Sequence, residues 1–371
     1  MLSTGTITHK KFSCCIAFAI CFGVCVATAY ANESDAGVDG GGAISRRLLQ
    51  HVYWEQAELG SRFRYLDAQR GSVFDRDLQL KSSIKVAVSF WGEWTAIKLR
   101  AETGSTFSSS WSYTGVGLHN QGPAFSIKTF YLAQKLNRRV AVRVGSMDFD
   151  QGAGTEATYA DNDGWVSGYR LGWGGWKTNR WLPDRVGVTA GFIGDYKLPN
   201  AFARLYRLGD PNYVQVLAAK KFRGNESTME FDSIQAIAFV RPAVRVGKVP
   251  GHIFDEATLE AMVRLNDSAS AGWAATMLKK LGSAKRWTAH ATLSDIPQLL
   301  FRKGAQEILL NGDSVGLGWR VGLGVRFVPV KNMEVAGFAS RGWGEVVIGS
   351  RWRAQLGVRY QFGELMNRFF H

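Results

Sequence analysis

The side chains closest to a catalytic combination are His290 and Ser294, which share one face of a predicted strand with Arg286, Thr288 and Thr292. A histidine beside a serine can activate the hydroxyl for nucleophilic hydrolysis. The sequence contains no G-x-S-x-G, H-E-x-x-H or P-loop motif, and its six histidines are dispersed. We therefore predict a polar wall at this position, without catalytic residues, bound metal or cofactor. A lipid-hydrolase type of enzyme is the alternative.

A second candidate is the acidic segment from Met147 to Trp165, which has no Lys or Arg in a chain that is otherwise basic. Asp161-Asn162-Asp163-Gly164 begins like a calcium loop, but the bidentate glutamate that should follow is missing, so we predict no metal there. We predict instead either a constriction loop folded into a pore or an ordinary outer loop. The acidic residues of this predicted loop are Asp148, Asp150, Glu156, Asp161 and Asp163.

Cations recur at every second position of long alternating segments. From Ser350 to Phe362 one face carries aromatic and aliphatic side chains, and the other carries three arginines and two glutamines. This period of two is typical of a strand with lipid on one side and water on the other. The residues predicted to line the pore are Lys98, Arg100, Arg139, Arg143, Arg170, Arg286, Arg320, Arg326, Arg351, Arg353 and Arg359.

The elements that position these residues begin after a leader. Lys10 and Lys11 precede an apolar run and the triplet Ala29-Tyr30-Ala31, which predicts a signal peptide cleaved near Ala31. All four cysteines lie within residues 1–31, so the mature chain would have neither disulfides nor a cysteine nucleophile. The formal net charge of +14 falls to about +12 without the leader. Because the cations are spread along strands, we predict an anion-attracting channel and no nucleic-acid partner.

The rest of the chain is predicted to be strands. Residues 32–45 are rich in glycine and predict a flexible periplasmic start, and residues 46–371 predict one antiparallel transmembrane β-barrel, an all-β fold. The length allows about sixteen strands (14–18). Leu259–Leu265 is predicted as a strand, but periodicity is poor in residues 259–266 and 296–310, where short helices are the alternative. Several tryptophans stand at strand ends, where they would form two rings at the lipid headgroups.

Val142-Arg143-Val144-Gly145 followed by two aspartates, and the tight turn Pro329-Val330-Lys331-Asn332, resemble segments of bacterial outer-membrane porins, in particular the alginate-export and carbohydrate- or phosphate-selective group. The resemblance implies a passive pore in the outer membrane, a homotrimer, and delivery by the barrel assembly machinery. Porins end their last strand on an aromatic residue, whereas here Phe362 is followed by nine more residues, among them Phe369 and Phe370.

Together these features predict an outer-membrane porin, surrounded by lipid, that passes small hydrophilic and preferentially anionic solutes by diffusion. A non-conducting structural or adhesive barrel is a further alternative, and a soluble secreted β-protein is the alternative at the level of the fold.

Overall fold

The structure is a computed structural model. It describes residues 52–70, 73–90, 94–103, 112–117, 125–152, 165–174, 182–193, 211–234, 237–247, 253–266, 270–282, 284–297, 302–303, 306–307, 318–343 and 349–370. The predicted leader and the glycine-rich start lie outside these residues.

The described residues are almost all in strands, with one helix near the end of the chain. The strands are β1 (Val52–Arg70), β2 (Val73–Phe90), β3 (Thr95–Thr103), β4 (Ser112–Gly117), β5 (Phe125–Lys135), β6 (Val140–Asp148), β7 (Trp165–Gly174), β8 (Arg185–Ile193), β9 (Tyr213–Phe222), β10 (Asn225–Ile234), β11 (Ile237–Gly247), β12 (Glu256–Arg264), β13 (Ser270–Leu281), β14 (Trp287–Ile296), β15 (Arg302–Lys303), β16 (Gln306–Glu307), β17 (Gly318–Phe327), β18 (Met333–Trp343) and β19 (Gly349–Gln361). The helix is α1 (Gly363–Phe370).

Sixteen of these strands form a closed antiparallel barrel, which confirms the predicted fold. Each strand pairs with its neighbours along the chain, except that β4, β15 and β16 stand outside the ring. The ring closes where β1 pairs with β19 from Glu58↔Gln361 to Gln69↔Gly349. Closure leaves no unpaired sheet edge, which a lipid environment requires of a sheet.

The two ends of the barrel differ in their connections. At one end, here named the turn end, strands are joined by short turns such as Arg223-Gly224, where both residues have positive φ (49° and 86°) as a two-residue hairpin turn requires. The opposite end, named the loop end, carries the longest connections, 104–124, 149–164, 194–212 and 297–317. β1 starts and α1 lies at the turn end. In transmembrane barrels the short turns face the periplasm.

The outer face of the barrel is apolar and bears aromatic side chains near both ends. Trp94 and Trp287 are about half exposed at the turn end, and Trp319, Trp343 and Trp352 are about half exposed at the loop end. This agrees with two aromatic girdles. None of the helices in the described part of the chain is long and apolar enough to cross a membrane.

The alternative of a short helix around residues 259–266 was wrong, because Glu256–Arg264 is strand β12, whose Thr258, Glu260 and Met262 face inward and are buried. The last strand ends at Gln361, close to the predicted end at Phe362, and the segment that follows forms α1. This helix docks on β1, where the Asn367 side chain bonds the backbone N–H and C=O of Trp54 at 2.8 and 2.9 Å.

Candidate channel interior

Burial distinguishes the inner face of the barrel from the outer one. On β10, exposed and buried residues alternate. Met229 and Phe231 are exposed, whereas Glu230 and Asp232 are only 1% and 3% exposed. Alternate side chains of a strand point to opposite faces, so buried carboxylates opposite exposed apolar side chains must face the enclosed interior. The same alternation assigns the inner face on the other strands.

A group of cations lies on adjoining strands of the inner face. Arg62 of β1 stands directly opposite Lys81 of β2. Arg320 of β17 donates to Ser340 Oγ at 3.3 Å, and Ser340 stands opposite Arg353 of β19. Arg62, Arg64, Lys81, Arg320 and Arg353 together are named the basic wall. Fixed cations this close together raise the local concentration of anions.

Buried carboxylates lie beside the basic wall, at Glu58 and Glu102, and in a larger group on the far side of the barrel. Glu230 and Asp232 of β10 both contact Arg241 of β11, the latter through Nε to Oδ2 at 2.9 Å. Counted through the paired strands, β10 is eight strands from β1 in either direction, so this group faces the basic wall across the interior. Glu226 and Glu260 lie on the same side and are buried.

The residues directly after β6 run along this acidic side. Gln215 Nε2 donates to the backbone oxygen of Asp150 at 2.8 Å, and the backbone N–H of Gly152 donates to Glu230 Oε1 at 2.9 Å. The ring of Phe149 meets the ring of Tyr213 edge-on at 5.3 Å. Phe149–Gly152, named the inner segment, therefore follows the inside of the wall from β6 to β10.

Arginines fix the predicted acidic loop at its start. Asp148 forms an ion pair with Arg100, and its backbone oxygen accepts a hydrogen bond from Arg170 Nη2 at 2.6 Å. Asp150 pairs with Arg185, Nη1 to Oδ1, at 2.9 Å. These contacts bring Asp148 and Asp150 together with two of the predicted wall arginines. Glu156, Asp161 and Asp163 lie outside the described residues.

An apolar layer also faces the interior, near the loop end. Its side chains are buried and pack in one cluster: Tyr131, Met147, Val166, Tyr213, Ile234, Ile237, Phe239, Met262, Ala274 and Ile296. Phe149 of the inner segment packs against it. The interior is therefore not uniformly polar, and the apolar layer and inner segment occupy the side of β6 to β14.

The predicted pore-lining residues fall into three groups. Those on the inner face of strands are Lys98, Arg100, Arg143, Arg170, Arg320, Arg326, Arg353 and Arg359. Arg139 and Arg286 lie in connections at the turn end and are exposed. Arg351 belongs to β19, and its side chain lies outside the described ones.

His290 packs against the wall and does not approach Ser294. Its ring lies flat against Gly324, where an added Cβ would come within 2.0 Å of it, and stacks on Phe338 with ring centroids 5.8 Å apart. Residues four apart in a strand share a face but are separated by roughly 13 Å. His290 and Ser294 are therefore out of hydrogen-bond reach as nucleophile and base.

Several interior residues were missed by the sequence analysis. Arg62 and Arg64 alternate with Phe63 and Tyr65, which was a usable signal, but their segment preceded the regular strands. Glu230 and Arg241 become important only because they meet across two strands and hold the inner segment. Among the described residues no group of three His, Cys, Asp or Glu could hold a metal.

The rim at the turn end carries ordered carboxylates. Asp184 accepts hydrogen bonds from Lys220 Nζ and from the backbone N–H of Lys221, both at 2.8 Å, and these lower its pKa. Asp255 accepts the backbone N–H of Lys280 at 2.6 Å, which lowers its pKa in the same way. Both carboxylates therefore stay ionised at neutral pH and order the turns of this end.

Comparison with solved structures shows the same architecture. The chain is similar to engineered variants of the porin from Rhodopseudomonas blastica. One variant matches with a TM-score of 0.53 at 11% sequence identity, and another with 0.52 at 10%; both alignments cover 84% of this chain and 100% of the porin. No protein-family profile and no curated protein matches the chain. At this identity the likeness establishes a porin-like barrel fold.

Proposed function

We propose that this protein is an outer-membrane porin that lets small hydrophilic solutes diffuse through its barrel, with preference for anions. The observation that carries the proposal is the division of one closed sixteen-stranded sheet into an apolar, aromatic outer face and a charged inner face. Such a sheet is stable with lipid outside and water inside. The chain shares its barrel fold with the porin from Rhodopseudomonas blastica, and this likeness supports the proposal of a channel.

The preference for anions rests on the position of the basic wall. On the side of β6 to β12, Arg185 and Arg241 each contact a carboxylate, and Arg100 of β3 contacts Asp148 of β6. The inner segment and the apolar layer also fill that side. A solute would therefore pass closest to Arg62, Arg64, Lys81, Arg320 and Arg353, whose field favours anions.

Single-channel conductance of the refolded mature chain in a planar bilayer tests the proposal. Under a salt gradient we expect stable openings. The sign of the reversal potential should show that anions pass more readily than cations. Neutralising the wall with Arg62→Gln, Arg64→Gln and Arg353→Gln should move the reversal potential toward zero. Arg341→Gln is the matched control, because Arg341 lies on the outer face, and it should leave selectivity unchanged.

Two results would contradict the proposal. A folded and inserted chain without conductance would favour a structural barrel and remove the channel itself. Conductance whose selectivity is the same in the wild type and the triple variant would keep the channel but exclude the basic wall as the source of its preference.

A further inference from the structure

An arginine stands on the lipid-facing side of the barrel at the loop end. Arg341 of β18 is exposed and faces outward, since it pairs with Val321 of β17 and with Trp352 of β19, which are both exposed. It is two residues from the end of its strand. A cation on the lipid face is costly in the middle of a bilayer but is tolerated close to the headgroups. Its height therefore corresponds to a headgroup layer.

Two indole rings hold this guanidinium. The Cζ atom of Arg341 lies 5.0 Å from the ring centroid of Trp343, along the same strand, and 4.9 Å from that of Trp352, on the next strand. Both distances fall within the range of cation–π contacts. Indole rings carry no hydrogen-bond acceptor of their own, so these contacts leave the five N–H donors of the guanidinium available. Two rings therefore orient the group without consuming its donors.

The surroundings of Arg341 indicate that its anionic partner belongs to the membrane and is not a carboxylate of the protein. Within the described part of the chain, the two ring contacts are the interactions of Arg341, with neither a hydrogen bond nor an ion pair to a carboxylate. Planar donors of a guanidinium match the oxygens of a phosphate in a two-pronged hydrogen bond. Tryptophans at this level contact the acyl and glycerol or sugar region of a lipid.

We propose that Arg341, Trp343 and Trp352 form an external binding site for the phosphate of an anionic lipid headgroup, in the leaflet at the loop end. The guanidinium binds the phosphate oxygens, and the two indoles pack beside the rest of the headgroup. Trp319, opposite Trp343, extends the aromatic surface to β17. The site rests on insertion of the barrel into a membrane, and it does not depend on whether the interior conducts or which ions it selects.

The chain offers a matched control in Arg76. Asp67 of β1 stands opposite both Trp352 of β19 and Arg76 of β2, so Arg76 belongs to the same row of residues as Arg341. Arg76 is also exposed on the outer face, three strands or roughly 14 Å away. It stands opposite a carboxylate instead of between two indoles. If lipid binding depended only on surface charge, Arg341 and Arg76 would contribute to it equally.

Lipid binding to the refolded mature barrel in detergent can be measured by native mass spectrometry. The titrations would use phosphatidylglycerol, a bis-phosphorylated glucosamine-based lipid and the zwitterionic phosphatidylcholine. We expect the anionic lipids to bind more tightly than phosphatidylcholine. Arg341→Gln should weaken that binding about tenfold, in keeping with loss of a charge-assisted two-pronged contact. Arg341→Lys should be intermediate, and Arg76→Gln should bind as the wild type does.

The outcomes separate the site from its alternatives. Stronger binding of either the glycolipid or phosphatidylglycerol identifies which phosphate-bearing lipid occupies the site. Equal weakening by Arg76→Gln, wild-type binding by Arg341→Gln, or displacement of the lipid by an equal concentration of inorganic phosphate would each overturn it. The heat-dependent mobility change of the Arg341→Gln variant on gels, which does not require conductance, shows that it is folded, so loss of lipid binding is distinguished both from misfolding and from failure of the channel.

Discussion

A disulfide between the inner segment and the barrel wall would test whether this segment stays against the inside of the wall. A Cβ atom placed on Gly152 lies 2.9 Å from the Cβ of Thr228 on β10. Disulfides have Cβ atoms about 3.5–4.5 Å apart, so Gly152→Cys with Thr228→Cys needs a movement of roughly 1 Å. All four native cysteines lie within residues 1–31, so a chain without these residues gives an unambiguous background.

The expected effect follows from the length of chain that the bond closes. Residues 152 and 228 enclose a loop of about 76 residues, for which the chain-entropy relation gives about 4 kcal/mol of stabilisation before strain is subtracted. We expect the double variant to oxidise readily in the folded barrel, to lose two hydrogens by mass spectrometry and to unfold at higher denaturant concentration. The oxidised channel should retain its conductance and show fewer fluctuations between levels.

Glu230→Gln, added to the variant with Gly152→Cys and Thr228→Cys, tests whether the Glu230 carboxylate holds the inner segment against the wall. The Gln side chain still offers an oxygen to the Gly152 N–H, but the charge of this acceptor is lost, and a neutral hydrogen bond is about 1–1.5 kcal/mol weaker than one to a charged group. The population of barrels with a detached segment should rise by roughly 5- to 12-fold, which slows oxidation and increases conductance fluctuations. Thr228→Cys alone is the control. The reasoning is refuted if the cysteines stay reduced in the folded barrel or if Glu230→Gln changes neither the rate nor the fluctuations.

Three further predictions concern packing, the helix and pH. Gly324→Ala should destabilise the barrel by about 1–3 kcal/mol because its Cβ would overlap the His290 ring, and adding His290→Ala should restore stability in denaturant unfolding. Asn367→Ala should lower the temperature at which the barrel unfolds and changes its mobility on gels, because about 1–2 kcal/mol of hydrogen bonding between α1 and β1 is lost. An unchanged temperature would show that α1 does not stabilise the closure between β1 and β19. A hydrogen bond from Lys331 lowers the pKa of Glu364, so its stabilising effect is complete above the pKa of a free glutamate and is lost as pH falls through the lowered value. Glu364→Gln should therefore unfold earlier than the wild type at neutral pH and equally in strong acid; a difference that persists in acid would contradict this.

Local patterning was sufficient to predict the barrel. In Ser350–Phe362 and in the segment around Arg320 and Arg326, alternation continues over a full spanning strand, so neighbouring residues fix which face meets lipid. The number of strands followed from chain length for the same reason. Prediction left a helix open as the alternative around β12, where Thr258, Glu260 and Met262 mix polar and apolar types on one buried face. That mixture reflects an interior that is partly apolar, which alternation alone does not show.

The sequence by itself determined that this chain is a barrel with an apolar outside, because side-chain direction along a strand depends only on residue parity. It also determined that cations dominate the strands. Only the tertiary structure decided that Arg62, Lys81 and Arg353 gather on one side, while Arg241 is neutralised by Glu230 on the other. These pairings join residues on different strands, and their approach depends on register and on closure between β1 and β19. The side of the interior on which these cations gather is therefore a property of the closed sheet.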